Sequence, residues 1–172
     1  NLGSLELGGA ADVTLGAPVT LVGDWTNGGG TFNAGGNTVS FTPSGTSTIT
    51  GTTTFADLSC TNQGGDTLTI DGAIIISGTL TLTGTNAGSR LTVNGGGSIA
   101  LPGAQYTGNY LVVDTVPITS GTYTAYYSTS GTTPAGWYLP EFGPGFPVWT
   151  GAVDGDWHYP GNWDTGAVPV PT

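Results

Sequence analysis

Apolar and hydroxyl residues alternate in short runs along the first hundred positions. Leu5-Glu6-Leu7, Val13-Thr14-Leu15, Val19-Thr20-Leu21-Val22, Thr38-Val39-Ser40-Phe41 and Thr48-Ile49-Thr50 are followed by Leu58-Ser59-Cys60, Leu68-Thr69-Ile70 and Ile74-Ile75-Ile76. Leu80-Thr81-Leu82-Thr83, Leu91-Thr92-Val93 and Ile99-Ala100-Leu101 complete the series. Each run has period two or is continuously apolar, is rich in β-branched side chains, and closes at Gly, Asn, Asp or Pro, as strands do. Strands this short are not stable as isolated hairpins. Asn27-Gly28 and Asn94-Gly95 are too few tight turns to join all of them into a meander. The pattern therefore predicts an all-β chain, a parallel β-solenoid (β-helix) in which successive rungs stack, apolar alternates fill the coil and Thr faces outward. At roughly 20 residues per rung, the first hundred residues give about five rungs, a stack about 24 Å tall at the usual interstrand spacing. A right-handed coil is the expectation from chain chirality.

Self-comparison supports repetition. The stretch Val13 to Thr26 can be laid on Leu68 to Thr81 without a gap, an offset of 55 positions that keeps strand, turn, strand, Gly and strand in step. A duplicated unit of two to three rungs is expected. After Leu101 the texture changes: Tyr106, Tyr110, Tyr123, Tyr126, Tyr127, Trp137 and Tyr138 crowd residues 105–140. This region reads as a small antiparallel, aromatic-rich β element packed on the coil. Pro140 to Pro147 reads as a turn-rich connector, and Val168-Pro169-Val170-Pro171 as an extended tail. The expected organisation is a solenoid over 1–104, the aromatic element and connector over 105–148, and a Trp-rich segment with its tail over 149–172.

Composition narrows the functions. The 172 residues include 32 Gly and 11 Pro, only 7% are charged, and the net charge is −10 with a single Lys or Arg, Arg90. A surface that neutralises phosphates needs several cations, so nucleic acid and anionic lipid are excluded as partners. No apolar run approaches the roughly 18 residues of a membrane-spanning helix, so membrane insertion is not expected. Cys60, the only cysteine, cannot form an intrachain disulfide and reads as a small buried hydrophobe. The Thr- and Gly-rich, Lys-free composition suits an extracellular or cell-surface protein. A chain that starts at Asn1 with no apolar leader reads as a mature or excised product.

Trp149-Thr150-Gly151 through Gly155-Asp156-Trp157, Pro160-Gly161-Asn162-Trp163 and Gly166-Ala167-Val168-Pro169 form a W-x-G…G-x-W…P-x-N-W…G-x-V-P segment. It resembles a segment of large bacterial surface proteins with β-solenoid repeats, of the adhesin and autotransporter-passenger kind. Gly23 to Phe41 and Ile49 to Phe55 resemble the repeats beside it. The resemblance implies an extracellular structural or adhesive role with no catalytic residues. In those relatives the Trp segment usually precedes a solenoid stretch, whereas here it follows one, as if a continuous repeat had been permuted. Docking of one chain's C-terminal segment on the next chain's N-terminal rungs would rebuild the coil.

The expected function is therefore a self-assembling structural protein that joins head to tail into a filament or surface stalk, its partner being itself. Leu2, Leu5, Leu7, Trp149, Trp157, Trp163, Val168 and Val170 are the expected interface residues. With few charges, such an assembly should tolerate salt and wide pH changes. The alternative is a carbohydrate-binding adhesin module in which Trp137, Tyr138 and Trp157 form a platform for neutral glycans. No cofactor is expected. Asp154, Asp156 and Asp164, beside His158, are residue types that a calcium loop uses. They lack a complete D-x-D-x-D-G pattern, and turn formation and backbone capping explain them better than a calcium site does. The chain is expected not to be an enzyme: His158 has no Ser or Cys elbow, and Asp57, Asp66, Asp71 and Asp114 read as turn aspartates rather than a hydrolase pair.

Overall fold

The computed structural model describes residues 1–61 and 64–140, together with Val153 and Asn162. Two units divide the chain, Asn1–Glu141 and Phe142–Thr172. Within the second, the Val153 amide donates to Asn162 Oδ1 at 2.8 Å, and the Asn162 side chain is buried.

The first unit is a parallel β-solenoid. Coil 1 comprises β1 (Leu5–Leu7), β2 (Asp12–Thr14) and β3 (Val19–Leu21), and coil 2 comprises β4 (Trp25–Asn27), β5 (Thr31–Asn33) and β6 (Thr38–Phe41). Coil 3 holds β7 (Thr46–Thr50), β8 (Thr53–Phe55) and β9 (Asp57–Thr61), and coil 4 holds β10 (Thr67–Ile70), β11 (Ala73–Ile76) and β12 (Leu80–Thr83). Coil 5 is β13 (Leu91–Asn94) and the long β14 (Ser98–Asn109), and coil 6 is β15 (Leu111–Val113) and β16 (Ile118–Tyr126); a further turn starts on the first face where Thr129 bridges Val112 and reaches the third face at β17 (Trp137–Tyr138). The first face stacks β1-β4-β7-β10-β13-β15, and the third stacks β3-β6-β9-β12-β14-β16-β17. On the second face β2 pairs β5 and β8 pairs β11, which pairs the start of β14, but no ladder joins β5 to β8. Every pair of these strands is parallel.

Period-two alternation becomes inside and outside of the coil. Leu21, Val39, Phe41, Ile49, Leu58, Leu68, Ile70, Ile76, Leu82, Val93 and Leu111 are at most 1% exposed, while the Thr and Ser between them are half-exposed. The 55-position offset carries β2, β3 and β4 onto β10, β11 and β12. That is a shift of eight strands, or two and two-thirds coils, so the self-similarity relates strands on different faces. Its unit is one strand with its turn, about seven residues.

Residues 105–140 are not an antiparallel element on the coil; they are the coil. β14, β15, β16 and β17 all continue the parallel ladders. Tyr106, Tyr123 and Trp137 are inward residues whose polar ends find backbone partners. The Leu82 amide donates to Tyr123 Oη at 2.9 Å, and Tyr106 Oη donates to Gly78 O at 2.5 Å. Trp25 is fully enclosed. No helix among the described residues is long and apolar enough to cross a membrane.

Cys60 faces inward from β9 and is fully buried, and burial, with a smaller contribution from Asp66, pushes its thiol from 9.0 to about 12. A thiol reagent at pH 8 should leave the folded protein unlabelled and label it stoichiometrically in denaturant. Between pH 9 and pH 12 the unfolded chain releases the Cys60 proton while the folded chain keeps it. Stability is therefore intact below pH 9 and should fall by up to about 4 kcal/mol toward pH 12. Tyr123, also raised by burial, adds to the fall above its ordinary range. Urea midpoints against pH should decline less steeply between pH 9 and pH 10 in Cys60→Ala than in the parent.

Candidate assembly surface

In a stack of coils, the inward side chains of an interior coil are covered from above and below, and those of a terminal coil from one side only. The two ends of this solenoid differ in how they meet that condition. In coil 1, Leu5, Ala11, Val13, Leu15 and Val19 pack against the core yet are only partly buried. Leu7 and Leu21 are enclosed, at 1% and 0% exposure. Among the described residues β1 and β2 each have one ladder neighbour, so their outer edges are open. Such edges are templates for another strand.

Below coil 1, residues 2–4 run as a fragment of a further turn. The Leu2 amide donates to Thr20 O at 2.8 Å, the Val22 amide to Leu2 O at 3.0 Å, and the Gly23 amide to Gly3 O at 2.8 Å. Ser4 Oγ accepts from the Asp24 amide at 2.8 Å. This fragment covers β3 but not β1 or β2. It leaves Leu2 48% exposed beside Val22 at 41%, two of the few large apolar side chains on the surface.

The far end is covered. Val113 and Val116 are fully buried, and Ile118 is 5% exposed. Trp137 lies over them with its ring 5.0 Å from Tyr123, and its Nε1 donates to Val116 O at 2.7 Å. Where the chain turns from the third face to the first, Arg90 Nε and Nη2 both donate to Tyr127 O at 3.2 Å, and Tyr127 stacks on Tyr110 at 5.2 Å.

Of the expected interface residues, Leu2 and Leu5 lie at the open end. Leu7 lies there too, but inside the core. Trp149, Trp157, Trp163, Val168 and Val170 are outside the described residues. Val13, Leu15 and Val19 belong to the exposed set and were not among those expected. Of the glycan platform, Tyr138 is 62% exposed, Trp137 is buried with its indole nitrogen engaged, and Trp157 is outside the described residues. Asp154, Asp156 and Asp164 are also outside them. Among the described residues no three His, Cys, Asp or Glu side chains gather as metal ligands.

The corner aspartates tie one coil to the next. Asp24 Oδ1 accepts from the Thr48 amide at 2.8 Å, Asp57 Oδ1 from Thr79 at 2.5 Å, Asp66 Oδ1 from Gly45 at 2.9 Å and Asp71 Oδ1 from Gly96 at 3.0 Å. Each carboxylate satisfies a backbone donor where the ladder turns a corner. No family model, curated protein or solved structure matches the chain.

Proposed function

We infer that this chain is an extracellular structural subunit that self-assembles head to tail, a second copy stacking on its N-terminal coil to continue the ladders. The observation that carries the reading is the half-exposed apolar set Leu5, Val13, Leu15 and Val19 beneath the open edges of β1 and β2. Ladder addition would satisfy the edge groups and remove that apolar surface from water. The two ends present different surfaces, so the contact is heterologous. A heterologous contact that does not close on itself propagates into a filament. The resemblance of the Trp-rich segment to bacterial surface solenoid proteins points the same way.

The apolar set Leu5, Val13, Leu15 and Val19 is uncharged, Glu6 and Asp12 lie exposed on β1 and β2, and the chain carries −10, so salt screens the repulsion between copies without weakening the apolar contact. Negative-stain microscopy of the purified chain should show fibres that persist when salt is raised. Val13→Glu with Leu15→Glu should leave discrete particles, with the far-ultraviolet circular dichroism of the parent. A parent chain that stays monomeric across concentration, or a double variant that forms fibres equally well, would overturn the assignment.

A further inference from the structure

The third face carries a regularity that neither core packing nor end-to-end stacking uses. Direct register pairing places Thr20, Ser40, Ser59 and Thr81 in one straight outward column, which resumes at Thr124 beyond position 107 and ends at the exposed ring of Tyr138. Two residues along each strand, Thr61, Thr83 and Asn109 pair in a second column that ends at Tyr126, and the β6–β9 register brings Thr42 into line with Thr61. The Thr and Ser side chains of both columns are half-exposed. The columns form a grid with about 4.8 Å between coils and about 6.6 Å between alternate residues of a parallel strand.

Charge is almost absent from this grid. Among the described residues Asp57 is the single carboxylate on the face, and its Oδ1 already accepts from the Thr79 amide. Glu6 lies on the first face and Asp12 on the second, and Asp24, Asp66, Asp71 and Asp114 sit at the corners bounding the first. In a chain of net charge −10, an extended face of neutral hydroxyls is complementary to a ligand that is itself neutral, flat, periodic and built of oxygen donors and acceptors.

Tetrahedrally bonded water has these properties. Oxygens about 2.75 Å apart place second neighbours at about 4.5 Å, and the hexagonal stacking of such a network repeats at about 7.3 Å. The first spacing matches the grid to within about 0.3 Å and the second to within about 0.7 Å. Each Thr or Ser hydroxyl supplies one donor and two acceptor positions, as a lattice water does in kind. The ladder holds the hydroxyl-bearing backbone rigid beforehand, so little ordering cost falls at binding. Carboxylates or ammonium groups would impose hydration of their own, and the face nearly lacks them.

We propose that the third face binds ice, its two hydroxyl columns occupying water positions in the crystal surface. The test is partition into slowly grown ice, alongside an ordinary globular protein that the ice rejects. The parent should be enriched in the ice fraction. Ser59→Tyr with Thr81→Tyr raises two rings in the middle of the grid and should lose that enrichment while keeping the parent's circular dichroism. Thr69→Tyr, on the first face, should retain it. If the double variant does not fold, Thr61→Lys, one exposed charge in the second column, should abolish enrichment in its place. Rejection of the parent from ice overturns the proposal, as does equal enrichment of the column variants. Retention on microcrystalline cellulose together with rejection from ice would also overturn it, and would reassign the face to a neutral polysaccharide. Fibre formation, read by microscopy on the same samples, reports separately on the end-to-end contact.

Discussion

Gly72→Ala is expected to cost the solenoid about 3 kcal/mol or more, a large part of the stability of an ordinary domain. The corner between the first and second faces brings successive coils closer than a side chain allows. A Cβ built on Gly72 would lie inside the Gly51 carbonyl, one on Gly51 would meet the Asn27 carbonyl, and one on Gly97 would meet the Gly72 carbonyl. The obstructing atoms are backbone, held by Ser98 N donating to Gly72 O at 3.1 Å and Asp71 N donating to Ile49 O at 2.9 Å. No side chain can rotate away to make room, so the ladders on both sides must shift. The turn Gly95-Gly96-Gly97 supplies the control. Around Gly96 a Cβ meets nothing within 4 Å, and its backbone is not left-handed, whereas Gly95 has φ +129° and would strike Ile70 O. Gly96→Ala should stay within about 0.5 kcal/mol of the parent. Urea melts followed by circular dichroism separate the two outcomes, and a Gly72→Ala protein with the parent's midpoint would show that the corner is looser than this packing implies.

Much of that corner is legible in the amino-acid sequence. Alternation with period two is the physical consequence of a strand with one wet and one dry face, and glycine at the turns follows from tight bends. Which glycine is indispensable is not legible, because Gly95, Gly96 and Gly97 are the same residue three times over and differ only in what lies one coil away. The same blindness to neighbouring coils explains why residues 105–140 resemble a separate element. Tyr106 and Tyr123 look like an aromatic sheet of their own until Gly78 O and the Leu82 amide, 28 and 41 residues earlier, are seen to satisfy their hydroxyls. β14 adds to the disguise: it runs through 12 residues with register shifts at Ile99/Ala100 and Ala100/Gln105, where shorter strands would have announced separate rungs. The open end is concealed for a related reason. Val13-Thr14-Leu15 and Leu91-Thr92-Val93 have the same pattern, yet only the first lacks a coil beneath it. Sequence periodicity reports which side chains point inward. Exposure at the ends depends on where the stack stops.

Trp25→Ala is expected to be as damaging, at about 3–5 kcal/mol. The indole is fully buried in coil 2, with Phe32 at 4.6 Å and Phe55 at 5.0 Å in edge-to-face geometry, and Phe32 and Phe55 are 5.8 Å apart. These three rings occupy the place where the second face is interrupted. Since β5 and β8 share no ladder, side-chain packing joins coil 2 to coil 3 there, and a surface groove lined by Phe32, Asn33, Thr54, Ala56 and Ser77 opens over the gap. Elsewhere a lost side chain leaves ladder bonds on all sides of the cavity. Here it removes the main tie across the second face. The indole also has a polar duty: Trp25 Nε1 donates to Thr53 Oγ1 at 3.0 Å, and Asn27 Nδ2 donates to Thr52 O at 2.9 Å and lies 3.4 Å from the same hydroxyl. Thr53→Val keeps the shape but orphans the buried indole donor, so it should cost about 1–3 kcal/mol. Trp25→Phe removes the donor together with part of the ring and should fall between Thr53→Val and Trp25→Ala. The ordering of the three denaturation midpoints tests the argument. If Trp25→Ala proved no worse than Thr53→Val, the aromatic cluster would not be what joins coils 2 and 3.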